Sequence, residues 1–69
     1  MTLGYKIKSR REELGMSQGE LAEKAYVTQA SISQIESGKY TPTSPRLVTI
    51  AHALKLPPAE LLEMGRRAG

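Results

Sequence analysis

The chain has no cysteine. That excludes disulfides and thiolate metal sites, and it fits a reducing compartment. Aspartate is also missing, so all seven acidic residues are glutamates. A single histidine, His52, leaves too few ligands for a metal site. No apolar run approaches the roughly 18 residues that a membrane-crossing helix needs, and residues 1–15 lack the apolar block of a secretory signal. The expectation is a soluble, cytoplasmic protein with no membrane association, no metal and no cofactor. Its 69 residues allow one domain. A chain of that size buries only about 60% of its unfolded surface, so its packing must be efficient.

The net charge is +3, from ten lysines and arginines against seven glutamates. The placement is more telling than the size. Lys6, Lys8, Arg10 and Arg11 crowd the first segment, whereas Glu60 and Glu63 lie near the end. This suits either a solvated mixed-charge surface or a basic side facing phosphates. Enzyme chemistry has no footing. The neighbouring glutamates (Glu12 and Glu13, Glu20 and Glu23, Glu60 and Glu63) are accounted for by capping, helix dipoles and solvation. No serine has a context that would activate it, and His52 falls on the outer flank of an apolar stripe.

The periodicity is helical throughout. Thr2 is placed to cap a first helix reaching Leu14, with Leu3, Ile7 and Leu14 near one side, Arg10 and Arg11 late in the helix, and Gly15 as the stop. Residues 18–25 put Leu21, Ala22 and Ala25 on one face; residues 29–37 do the same with Ile32 and Ile35. Ser17 and Glu20 form a capping box before the first of these, with Met16 and Leu21 as its hydrophobic staple. Thr28 is the N-cap of the second, with Val27 and Ile32 as its staple, and Gly38 stands at the stop. Helices this short are unstable alone, so small Ala22 at their crossing predicts a tight two-helix unit. A loop over residues 39–44 follows, with Tyr40 expected on the rim of the core. Ser44 then reads as an N-cap and Pro45 as the first residue of a fourth helix, whose inward stripe is Leu47, Ile50, Ala51 and Leu54. Lys55 occupies a stop position where glycine is common. Pro57 and Pro58 restart the chain into a short fifth helix carrying Leu61, Leu62 and Met64, which Gly65 ends. The domain is thus residues 1–65 and the tail, residues 66–69, is expected to be frayed. All five helices and their turns contribute to one core, and no strand alternation exists: the class is all-α.

The stretch at residues 18–37 resembles the helix-turn-helix of the lambdoid phage repressor and Cro-type (XRE-like) family. Ala22 matches the family's small residue in the first helix. Ala25 and Val27 flank the turn, Ile32 and Ile35 match the branched residues of the second helix, and Glu36 and Gly38 match its E-x-G ending. The resemblance extends from about residue 5 to 64. One position departs: the turn residue usually taken by glycine is Tyr26, which must have a positive φ if the turn keeps its shape.

That resemblance implies a five-helix lambda-repressor-like domain with the helix-turn-helix in helices 2 and 3. It also implies sequence-specific binding of double-stranded DNA by a transcriptional regulator, such as a repressor or a phage or restriction-system controller. The second helix of such a unit enters the major groove, its early residues at the base edges. Thr28, Gln29, Ala30, Ser33 and Gln34 are then the base readers. Gln29 can pair both hydrogen-bonding groups of one adenine, and Ala30 can meet a thymine methyl. Otherwise Gln29 is only a solvated helix former. Arg11, Gln18, Ser31 and Lys39 become phosphate contacts, with Arg11 also paired to Glu36; the bland reading makes them independent surface residues. Members usually bind palindromic operators as two-fold homodimers. Leu56, Pro57, Pro58 and Leu61 are dimer-contact candidates by that analogy, or else they only close the core. The competing reading is a protein-binding adaptor on the same fold, such as an antitoxin subunit or coactivator-like module. Action on DNA would place the protein with the nucleoid.

Overall fold

A computed structural model describes residues 2–68, with side chains through Arg66. It holds five helices: α1 (Leu3–Glu13), α2 (Gln18–Lys24), α3 (Gln29–Glu36), α4 (Ser44–Ala53) and α5 (Pro58–Ala68). No strand occurs among the described residues. The helix starts follow from local chemistry. Thr2, Ser17 and Thr28 are extended residues whose hydroxyls accept from the backbone N–H three positions on. Each satisfies one of the orphan donors of a first turn. At Ser17 the box is reciprocal, because Glu20 accepts from the Ser17 N–H at 2.9 Å.

Four helices stop in the same way. The residue after the cap turns left-handed, and the next N–H reaches back to a carbonyl in the last turn: Met16 to Arg11, Val27 to Ala22, Lys39 to Gln34 and Leu56 to Ala51, at 2.9–3.0 Å. Gly15 and Gly38 hold this conformation without steric cost. Tyr26 (φ 58°) and Lys55 (φ 56°) hold it with side chains attached, at roughly 1–2 kcal/mol each. At Lys55 a distant residue helps. Arg10 of α1 donates from Nε to the Leu54 carbonyl at 2.9 Å and from Nη2 to the Lys55 carbonyl at 3.5 Å. Arg10 therefore caps α4 as well as suiting the dipole of its own helix.

Ile7, Leu21, Ile32, Ile35, Ile50, Leu54 and Leu61 form the fully buried centre of the core, with Leu3, Ala22, Ala25, Leu47 and Ala51 around them. Leu14, Met16, Val27, Leu56, Leu62 and Met64 close it from the rim. The helices pair α2 on α3 and α4 on α5, while α1 lies against both α3 and α5. The buried stripe of α1 is Leu3, Gly4, Ile7 and Arg11. A glycine and an arginine in that stripe explain why α1 looks weakly amphipathic. Gly4 is there because α1 touches the end of α3: a Cβ on it would lie 2.5 Å from the Ile35 and Glu36 carbonyl oxygens.

Two expected boundaries move. The extended residue before α4 is Thr43, not Ser44, and the first helical bond runs from the Leu47 N–H to the Thr43 carbonyl at 2.9 Å. Ser44 is then the first helical residue and Pro45 the second, where a missing N–H still costs nothing. The fifth helix does not end at Gly65 but continues to Ala68, so residues 66–68 are helical rather than a frayed tail; Gly69 lies outside the described residues. Gly65 serves packing instead, since a Cβ there would meet Leu47 Cδ1 at 2.6 Å. Tyr40 is 37% exposed, and its hydroxyl accepts from Arg46 Nη1 at 3.4 Å.

Candidate nucleic-acid interface

Burial of Ile32 and Ile35 fixes how α3 is rotated. The residues left outside are Gln29, Ala30, Ser33, Gln34 and Ser37, with Thr28 at the start. Their spacing of one, four, five and eight places them along one side of the rod. No side chain in this row is charged, so what it offers is hydrogen-bonding capacity and a methyl group.

The row is not uniformly free. The Thr28 hydroxyl accepts from the Ser31 N–H at 3.1 Å and donates to Ser31 Oγ at 3.0 Å. Its proton is therefore committed to the cap, whereas that of half-buried Ser31 can still turn outward. Gln29 does not stand straight out from the helix. Its carboxamide lies over the first turn of α2, with Oε1 3.4 Å from the point where a Cβ on Gly19 would stand. Gln34 and Ser33 are exposed.

At the other end of α3 the chemistry is ionic and enclosed. Arg11 donates from Nε and Nη2 to the two carboxylate oxygens of Glu36, at 2.8 and 3.1 Å, and from Nη1 to the Met16 carbonyl at 2.8 Å. Gln18 donates from Nε2 to Glu36 Oε1 at 3.1 Å. The pair is almost dry: the side chains of Arg11 and Glu36 are 10% and 4% exposed. Hydrogen bonding to Glu36 raises the Arg11 pKa against the opposing effect of burial. One cluster thus ties α1, the loop after it, the start of α2 and the end of α3. The family resemblance implies a phosphate contact for Arg11 as well. All three of its guanidinium nitrogens already donate within the chain, so a phosphate would have to share it. Gln18 is likewise half engaged, while Lys39 is exposed just beyond the α3 stop.

Lys6 and Arg10 do not form part of a free basic face. Lys6 pairs with Glu60 at 3.7 Å, and Arg10 contacts Glu13 as well as the end of α4. The corner considered for dimer contact is also narrower than expected. Leu61 is fully buried in its own core, because the amphipathic face of α5 needs it there, so it cannot offer surface to a partner. Leu56 and Pro58 are half-buried and Pro57 is exposed. Gly4 and Gly19 were not singled out from the sequence. The available signal was a glycine inside a helical pattern, which marks close approach.

Comparison with known proteins places this geometry. The family described as Helix-turn-helix matches residues 7–61. The immunity repressor protein of Bacillus phage phi105 is 39% identical over 54 residues, covering 78% of this chain. The chain spans only 38% of that repressor's length. An HTH-type transcriptional regulator of Methanothermobacter thermautotrophicus is 44% identical over 48 residues, 70% of each protein. Among solved structures, the P22 c2 repressor bound to a synthetic operator superposes with a TM-score of 0.84 at 30% identity, covering 88% of this chain and 92% of that one. SinR, a master regulator for biofilm formation solved in complex with DNA, gives 0.82 at 37% identity, covering 88% and 98%. With five helices and a family match over residues 7–61, this chain belongs to the helix-turn-helix family of DNA-binding transcription regulators, of the phage-repressor and Cro type.

Proposed function

We propose that this chain is the sequence-reading unit of a transcriptional regulator, with α3 laid in the major groove of double-stranded DNA. The observation that carries this reading is the uncharged outer row of α3. A row of amides, hydroxyls and a methyl is weak for general phosphate attraction and well suited to hydrogen-bonded readout of base edges. Gln29, Ser33 and Gln34 are the principal readers, Ala30 a methyl contact, and Thr28 a contact through its methyl, since its hydroxyl proton serves Ser31. Lys39, Gln18 and Ser31 meet phosphates and set the register, with Arg11 sharing its guanidinium at the same backbone. The operator is palindromic and bound by two copies, whose contact lies at Leu56, Pro57 and Pro58. The protein acts on the nucleoid in the cytoplasm, as a repressor or controller, and carries out no catalysis.

The test is selection of bound duplexes from a random pool, followed by affinity measurements against salt. A defined palindromic site should emerge, with log affinity falling linearly with log salt. Gln29→Ala should cost roughly 1–3 kcal/mol at one base position and relax the preference there. Lys39→Ala should weaken every site alike and reduce the salt slope by about one. Absence of any duplex binding at low salt would overturn the reading in favour of a protein-binding adaptor.

A further inference from the structure

Glycine weakens a helix relative to alanine, so a glycine inside one calls for a reason. Gly4 has its reason in the backbone of α3, and Gly65 in the side chain of Leu47. Gly19 has no such reason in the fold. It is the second residue of α2, and its φ is not in the left-handed range. What faces it is a single side chain of the reading helix. A Cβ on Gly19 would lie 3.4 Å from Gln29 Oε1 and 4.0 Å from Gln29 Cδ, with Ser17 Oγ at 3.8 Å.

We propose that Gly19 is a specificity-determining residue: the side chain it lacks leaves a shallow seat on the first turn of α2, and the Gln29 carboxamide rests in it. A glutamine free in solvent samples many rotamers and must lose that freedom to make two hydrogen bonds to one base. A glutamine laid against α2 has lost part of it already, and its approach to the groove is set by the seat. Gly19 touches no base itself; it acts through Gln29. The inference rests on Gln29 being a base reader, as proposed above.

Graded substitutions test it. An alanine methyl at 3.4 Å from Oε1 makes ordinary contact, and the seat remains usable. Valine fills two of the three staggered positions on its Cβ, so Gln29 must leave. Both residues form helix better than glycine, so thermal melts should show Gly19→Ala and Gly19→Val folded and no less stable than the parent. In duplex selection, Gly19→Val should reduce the preference at the Gln29-dependent position by roughly tenfold, and Gly19→Ala by less than about twofold. In a Gln29→Ala background, Gly19→Val should change nothing further, because the two act as one unit. In the free protein, NMR should show an NOE between the Gly19 α-protons and the Gln29 side-chain amide.

If Gly19→Val selects the same sites as the parent, or has an undiminished effect when residue 29 is alanine, the proposal is overturned while Gln29 remains a reader. If Gln29→Ala itself leaves site preference unchanged, the reading of Gln29 falls and the seat falls with it. Should Gly19→Val not fold, the NOE decides: its absence in the parent protein overturns the proposal.

Discussion

The two ends of α3 are built on opposite principles. Its last turn is locked: Glu36 is held by Arg11 and Gln18, the pair is nearly dry, and Gly4 of α1 sits on the carbonyls of Ile35 and Glu36. Its first turn is open, and the hydrogen bonds of Thr28 and Ser31 stay within the turn itself. The difference separates holding from reading. Ile32, Ile35 and the ionic cluster fix the rod, so the outward tips can change without disturbing the fold. Stability and base preference should accordingly respond to different substitutions.

The largest stability effect should come from the locked end. Arg11→Met leaves the Glu36 carboxylate buried with only Gln18 as partner. Breaking one side of a buried pair costs about 3–5 kcal/mol, or a fall of at least about 12 °C in melting temperature for a domain of this size. Gly4→Ala should follow. Its methyl meets backbone that cannot rotate away, so α1 and α3 must separate, costing about 1–3 kcal/mol. A melt of either variant within a degree or two of the parent would show that the end of α3 is not held as described.

At the open end the sign reverses. Tyr26 stands in the turn before Thr28, 88% exposed and left-handed, so its ring contributes little burial to set against the backbone strain. Tyr26→Gly should stabilise the protein by about 1 kcal/mol, measured by urea unfolding. Loss of stability instead would mean that the ring is held by a contact that offsets the strain.

The smallest effect concerns the start of α2. The Glu20 carboxyl is held below the usual carboxylate range, first by the Ser17 backbone N–H and then by its hydroxyl. A carboxylate whose pKa is depressed on folding contributes stability above its unfolded pKa, and that stability is lost as pH falls through the folded one. The melting temperature of the parent should therefore drop more steeply on acidification than that of Glu20→Gln. Parallel curves would remove the ionised capping box from the account.

What could be read from the chain was what neighbours in sequence decide. Ser17 with Glu20, Thr28, Thr2, Gly15 and Gly38 announced helix ends, because caps and stops act within a few residues. The inward stripes of α2, α3 and α4 were visible for the same reason. The pairing of Arg11 with Glu36 came only through resemblance; nothing in their spacing of 25 positions requires it. The missed features all lie between elements. Arg10 capping α4, Gly65 admitting Leu47, Gly4 against α3 and Gln29 over Gly19 depend on which helices meet. For Leu61 the sequence left both a dimer contact and a place in the core open, and the rotation of α5 against the other helices decides for the core.

Local composition and periodicity thus determined the number of helices, most of their limits, the helical class and the polar character of the α3 outer row. Those properties follow from backbone hydrogen bonding and side-chain spacing over a few residues. The packed structure alone decided which polar groups remain free. It enclosed Arg11 and Glu36, buried Leu61 and laid Gln29 along α2. Those partnerships join segments distant in the chain, and no local pattern encodes them.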